Sequence, residues 1–229
     1  MIDIRIALIG LGKMGRALAL LAPERGMHVV AEIGEEERIN RDTLRDAEVA
    51  IEFSIPSAAP ANVRACIDAG CPVVVGTTGW YEELPVLQAY ARERGGAMLT
   101  APNFSIGVAV FERIVADASR LFAAVPGFHA ALIETHHSAK KDAPSGTAAS
   151  LAQSMQVASG MSVPITSMRV GSVPGTHELI FDAPFEQVRL VHEARDRRVF
   201  AEGALVAAKW LVGRTGVFTM HDVLATAER

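Results

Sequence analysis

The spacing of hydrophobic positions changes character near the middle of the chain, and that change predicts two kinds of structure. From Ile4 to Thr100, short apolar runs alternate with stretches of helical period. Ile4 to Ile9 (IRIALI) has the length of a strand, and Met14 to Leu21 (MGRALALL) repeats at helical intervals. Further strands are expected at His28–Ile33, Glu48–Phe53, Pro72–Val75 and Ala97–Thr100, with helices at Ala59–Ala69 and Glu82–Arg94. This alternation predicts an open parallel sheet. After Gly107 the pattern differs. A helix at Gly107–Phe122, a strand at His129–Thr135 and a helix at about Ser145–Ala158, closed by Gly160, lead into three strand candidates. These are Thr166–Val170, Thr176–Phe181 and Gln187–His192, and little helical sequence separates them. Such a run predicts a mostly antiparallel or mixed sheet. The amphipathic helix at Ala201–Leu211 has no evident partner in the second half and is expected to return to the first.

Chemistry enters at the ends of the first-half strands. Ile4–Ile9 runs into Gly10, Leu11, Gly12, Lys13, Met14 and Gly15, a G-x-G-x-x-G loop that opens a helix. In that context Gly10 allows a tight turn and Gly12 lets a pyrophosphate approach the backbone. Gly15 lets the helix pack on the strand, and the helix start offers unpaired N–H groups. Glu32 lies twenty residues beyond Gly12, where a carboxylate accepts bonds from ribose hydroxyls; this leans the expected cofactor toward NADH rather than NADPH. Gly76, Thr77 and Thr78 follow another strand, and Ala101, Pro102, Asn103 and Phe104 follow the next. The expected fold is therefore α/β, a Rossmann-type dinucleotide-binding domain (residues 1–106 with 200–229) joined to an α+β domain (residues 107–199).

Composition narrows the partners. Half of the 229 residues are hydrophobic, 21% are charged, and the formal charge is −4. With no long basic run, neither nucleic acid nor an anionic membrane is an expected partner. The amino-terminal MIDIRIALIG reads as a strand rather than a signal peptide, so a cytoplasmic protein is expected. Cys66 and Cys71 lack a second pair of ligands for a metal and read as reduced thiols.

The densest chemistry lies at Glu134–Ala148, ETHHSAKKDAPSGTA. Pro144 stiffens a helix entry, Ser145 is a plausible cap, and Gly146 and Thr147 expose N–H groups at an end that attracts anions. Lys140, Lys141, His136 and His137 lie just upstream. A turn at Lys141–Pro144 would bring a lysine and both histidines to a small carboxylate, with one histidine free to move a proton near neutral pH.

This stretch resembles the dihydrodipicolinate reductase family, whose signature E-x-H-H-x-x-K-x-D-A-P-S-G-T-A it matches at every fixed position. GLGKMGR, EFSIP, GTTG, APNFSIGV, RVGSVPGTHELIF and RVFAEGALVAAKWL resemble family segments in the same order. The resemblance implies NAD(P)H-dependent reduction of a cyclic dicarboxylate, 4-hydroxy-tetrahydrodipicolinate, with loss of water, in diaminopimelate and lysine synthesis. It implies His136 as acid–base residue, Lys140 as proton donor and carboxylate partner, and His137, Gly146 and Thr147 as carboxylate ligands. The glycine loop, Glu32, Gly76–Thr78 and Ala101–Phe104 would contact the dinucleotide, and a homotetramer is implied. Glu193 stands where the family often has lysine, which leaves Arg197 as the alternative source of that charge. Another two-domain nicotinamide dehydrogenase, or a non-catalytic NAD-sensing module, is the competing reading.

Overall fold

The computed structural model describes residues 3–225. Among them the elements run β1 (Ile4–Ile9), α1 (Lys13–Leu21), β2 (Met27–Ile33), α2 (Arg41–Leu44), β3 (Val49–Glu52), α3 (Ala59–Asp68), β4 (Val73–Val75), α4 (Leu84–Glu93), β5 (Ala97–Thr100), α5 (Ile106–Ala123), β6 (His129–His136), α6 (Gly146–Ser159), β7 (Ile165–Arg169), β8 (Thr176–Ala183), β9 (Glu186–Glu193), α7 (Arg198–Leu211), β10 (Gly216–Phe218) and α8 (Met220–Ala225). They form two compact units. One holds the residues up to Ser105 together with those from Phe200 on; the other is Ile106–Val199.

The first unit carries a six-stranded parallel sheet in the order β10-β5-β4-β3-β1-β2. Its inner strands β3, β4 and β5 are buried at every position, as expected when both faces of a parallel sheet are covered. On one face Ala7, Ile9, Ala50, Val73, Val75 and Met98 pack with Val63, Cys66 and Ile67 of α3 and Leu87 and Ala91 of α4. Cys66 and Cys71 are free and buried. Burial pushes both thiols up, Cys71 to about 12, which keeps them protonated and inert at neutral pH. From Phe200 on, α7 belongs to this unit. It passes close to the chain at Gly203, where an added Cβ would lie 1.6 Å from the carbonyl oxygen of Phe104.

The second unit carries a four-stranded sheet ordered β7-β6-β8-β9. β6 and β7 are parallel, with α6 as the crossover between them, while β8 and β9 run antiparallel, so the sheet is mixed. Leu132, Leu179 and Phe181 point to one face and pack on Phe111 and Val115 of α5 and Ala148, Leu151 and Met155 of α6. The alternating burial of β8 and β9 marks the sheet as covered on one side. Met168 and Val191, both about half exposed, stand on the other side. Among the described residues, no helix is long and apolar enough to cross a membrane.

Gly203 supplies a test of how α7 is seated. An exposed helical glycine changed to alanine gains about 1 kcal/mol from propensity. Here the backbone of Phe104 blocks the new methyl, so Gly203→Ala is expected to cost roughly 1–3 kcal/mol, the scale of overpacking. Denaturant midpoints check this, and a raised midpoint would contradict the packing.

Candidate active site

In the first unit the chemistry gathers at the carboxyl ends of the strands. Because β1, β3, β4 and β5 are parallel, the loops after them leave the same edge of the sheet. The chain turns from β2 to β3 across β1, and ligands bind at such a switch point. Gly10 has φ +91°, and a Cβ there would lie 2.2 Å from the carbonyl oxygen of Phe53. A Cβ on Gly15 would lie 2.1 Å from the carbonyl oxygen of Gly10, so α1 can sit on its loop only with glycine there. Gly12, by contrast, meets nothing within 4 Å, and as N-cap of α1 it provides no side-chain bond to the helix. Open space beside an uncapped helix start fits the pyrophosphate of a dinucleotide. Leu11 and Lys13 are exposed, and Met14 is half-buried.

The neighbouring loops are tied together. Ser54 N–H donates to Thr77 Oγ1 at 2.8 Å, and Trp80 Nε1 donates to the Thr77 carbonyl at 2.7 Å. Gly76 N–H donates to the Glu52 carbonyl at 2.8 Å. Buried Glu52 accepts from Ser54 and from Asn62 Nδ2. Thr78 is left exposed. The rings of Phe53 and Phe104 meet edge to face at 5.8 Å. Ala101 is buried, Pro102 exposed, and Asn103 Oδ1 accepts from Ser105 N–H at 2.8 Å. Glu32 lies within β2 opposite Leu8 with its side chain exposed. The strand ends one residue later at Ile33, whose carbonyl accepts from Gly10 N–H at 3.0 Å. Beyond it Glu37 Oε1 accepts from Gly34 N–H at 3.1 Å.

In the second unit, two-residue alternation puts Glu134 and His136 on the helix-covered face of β6, in line with Leu132. Sheet register then sets Ser167, Glu134, His177 and His192 in one row across β7, β6, β8 and β9. Glu134 is fully buried. Arg169 grips it with two bonds, Nη1 to Oε2 at 3.0 Å and Nη2 to Oε1 at 2.8 Å. His136 Nδ1 meets Glu134 Oε2, and Ser145 N–H reaches Oε1 at 3.3 Å. Burial alone would raise the Glu134 pKa, but the bonds from Arg169, Ser167 and His136 outweigh it and hold it at about 2. Burial draws His136 below the usual imidazole range, against the upward pull of Glu134.

The start of α6 is built beside this pair. Ser145 caps it, its Oγ accepting from Ala148 N–H at 3.2 Å and lying 3.3 Å from His177 Nε2. Gly146 is exposed and Thr147 half-buried on the first turn. Lys140 Nζ pairs with Asp142 Oδ1 at 2.8 Å, whereas Lys141 is exposed. Arg197 Nη2 donates to His137 Nε2 at 2.9 Å, so that nitrogen carries no proton. The structure thus brings His136 and the α6 start around one buried carboxylate and gives His137 and Lys140 charged partners of their own. Arg169 and His177 went unsingled in the sequence, where 35 and 43 residues separate them from Glu134. Their signal was strand alternation combined with register.

His177 is pushed down to about 4, by burial first and then by His136 and His192. The unfolded chain therefore binds a proton at His177 between pH 6.5 and about 4 that the folded chain refuses, and stability must fall as pH falls through that window. Glu134 extends the loss from 4.5 toward 2, as protonation abolishes its pairing. Denaturation midpoints measured against pH should show both phases, and His177→Gln should flatten only the upper one. An unchanged slope in that variant would contradict the assignment.

Known proteins resemble this chain over most of its length. Residues 4–104 match the family profile described as dihydrodipicolinate reductase, N-terminus, and residues 107–224 the one described as dihydrodipicolinate reductase, C-terminus. The chain is 35% identical over 234 residues to a 4-hydroxy-tetrahydrodipicolinate reductase of Christiangramia forsetii, covering 96% of this chain and 97% of that one. It is 38% identical over 196 residues to one from Haloarcula marismortui, covering 78% and 77%. A dipicolinate-bound dihydrodipicolinate reductase from Paenisporosarcina sp. TG-14 shares the fold, with TM-score 0.81 at 21% identity over 96% of this chain and 98% of that one. The chain belongs to the dihydrodipicolinate reductase family.

Proposed function

We propose that this protein reduces 4-hydroxy-tetrahydrodipicolinate to tetrahydrodipicolinate, with loss of the 4-hydroxyl as water, in diaminopimelate and lysine synthesis. The observation that carries the reading is the buried Glu134–His136 pair beside the capped start of α6. It joins a proton-handling group to a place that favours carboxylate. A nicotinamide cofactor supplies the hydride, delivered to C4 of the ring. The glycine loop Gly10–Gly15, Gly76–Thr78 and Ala101–Phe104 hold the dinucleotide in the first unit. The unit Ile106–Val199 binds substrate: His136 gives the proton, and His137, Lys140 and the N–H groups at Gly146 and Thr147 bind a carboxylate. The open face of the mixed sheet, with Met168 and Val191, suits pairing between chains, in keeping with the homotetramer that the family resemblance implies.

The assay uses reduced cofactor and freshly prepared cyclic substrate. His136→Gln is expected to lower kcat by roughly 10²–10⁴ with cofactor binding unchanged; more than about half of the activity retained would remove His136 from the reaction. Lys140→Ala should cost on the order of 2–5 kcal/mol in kcat/KM, and Lys141→Ala less than about threefold. Pyridine-2,6-dicarboxylate should compete with substrate and weaken only in the Lys140 variant. Equal losses from the two lysines would mean general attraction rather than a specific contact.

NADH is the proposed preference. Glu32 on β2 and Glu35, Glu36 and Glu37 just past it make that end of the sheet repel a 2′-phosphate. Wild-type kcat/KM is expected to favour NADH, and Glu32→Ala and Glu37→Ala to narrow the difference. A wild-type preference for NADPH that neither variant alters would exclude these carboxylates from cofactor choice.

A further inference from the structure

The geometry points to Glu134 and Arg169 as the positioning pair of the site: the guanidinium pins the carboxylate, and the carboxylate fixes the His136 ring so that Nε2 is the atom left to move a proton. This inference rests on the reading of His136 as the proton donor. A buried Arg–Glu pair is often only structural, but three features here serve the ring. Both Glu134 oxygens are committed, Oε1 to Arg169 Nη2 and Ser145 N–H and Oε2 to Arg169 Nη1 and His136 Nδ1. A carboxylate only accepts, so Nδ1 must donate, which sets the neutral tautomer with its lone pair on Nε2. At the other edge of the ring stands Gly175, where an added Cβ would lie 3.0 Å from Nε2 and 3.3 Å from Cδ2. The glycine keeps that edge clear.

The arrangement also sets the charge of the ring. Facing His136 are Glu134 from its own strand, Arg169 from β7, His177 from β8 at 5.2 Å between centroids, and Lys140 from the following turn. His192 faces His177 from β9 at 6.4 Å. Glu134 is the only anion among them. It favours the imidazolium that must form before Nε2 can donate, while the cations oppose it.

Opposite signs make the test. Glu134→Gln removes the anion, so the alkaline limb of the kcat/KM profile, where the imidazolium is lost, should move to lower pH. Arg169→Met removes a cation, and the same limb should move to higher pH. Both variants should lose roughly 10- to 100-fold in kcat, the scale of losing an orienting partner, with substrate KM within about threefold. In a His136→Gln background, Glu134→Gln should cost nothing more. Two activity losses without limb shifts would overturn the proposal, since a merely structural pair lowers the active fraction alone. Should the variants fold poorly, long-range ¹H–¹⁵N correlation on the unaltered protein decides: neutral His136 must carry its proton on Nδ1, and an Nε2-protonated ring overturns the pairing. If His136→Gln abolishes turnover while Glu134→Gln is silent, the proton-donor reading stands and this proposal falls.

Discussion

A carboxylate with no access to solvent has to keep its charge compensated from every side, and Glu134 imposes that demand on the whole second unit. Removing a single partner would leave a buried charge exposed to a medium that cannot solvate it, so the elements supplying those partners are fixed together. Arg169 must come from the last position of β7, which requires the parallel pairing of β7 with β6. Ser145 N–H must arrive from the start of α6, which fixes where the turn after β6 ends. His136 must share the face of Glu134, which strand alternation guarantees. The Asp142 carbonyl, held by Arg169 Nη2, anchors the turn between them. One charge therefore joins two strands, a turn and a helix start.

The first unit would meet an anion by other means. Gly12 at the start of α1 makes no side-chain cap, whereas Ser145 at the start of α6 spends its hydroxyl on Ala148 N–H. An uncapped start leaves more N–H groups for a ligand, and the absence of side chains lets a bulky pyrophosphate reach them. A capped start is more rigid and offers fewer donors, so charged side chains have to be gathered nearby. In the proposed reading the two helix starts suit two sizes of anion.

Much of this was legible in the sequence because it follows from short-range pattern. β1 and β5 run over the residues their apolar stretches predict, the strands up to β9 and the longer helices differ from expectation by a few residues at their ends, and the edge strand β10 is not anticipated. α2 was missed; it has four residues, and its cap pairs Asn40 with Thr43 where an acidic partner is the usual signal. The glycine loop could be read because its chemistry is contiguous. Arg169 and His177 could not, because register rather than sequence places them beside Glu134 and Ser145; Arg197, singled out as a source of charge, meets His137 from the loop after β9. Once β6 is aligned with β8, Glu134 and His177 fall opposite each other without further assumption.

The charges gathered beside β6 bear on how the site would respond to a dicarboxylate. Charged groups paired at or beside His136 and His137 include Glu134, Asp142, Arg169, Lys140 and Arg197. Burial disfavours the imidazolium in the absence of such an anion. An arriving anion reverses that balance, since each added negative charge raises the affinity of Nε2 for a proton. If His136 is the acid, as proposed, carboxylate binding and its protonation would be linked, the proton being recruited when there is a ring to receive it. An additional fixed cation beside His136 would bind the anion more tightly and weaken this link, which is the physical case for Lys140 being tethered by Asp142 and Arg197 being engaged with His137.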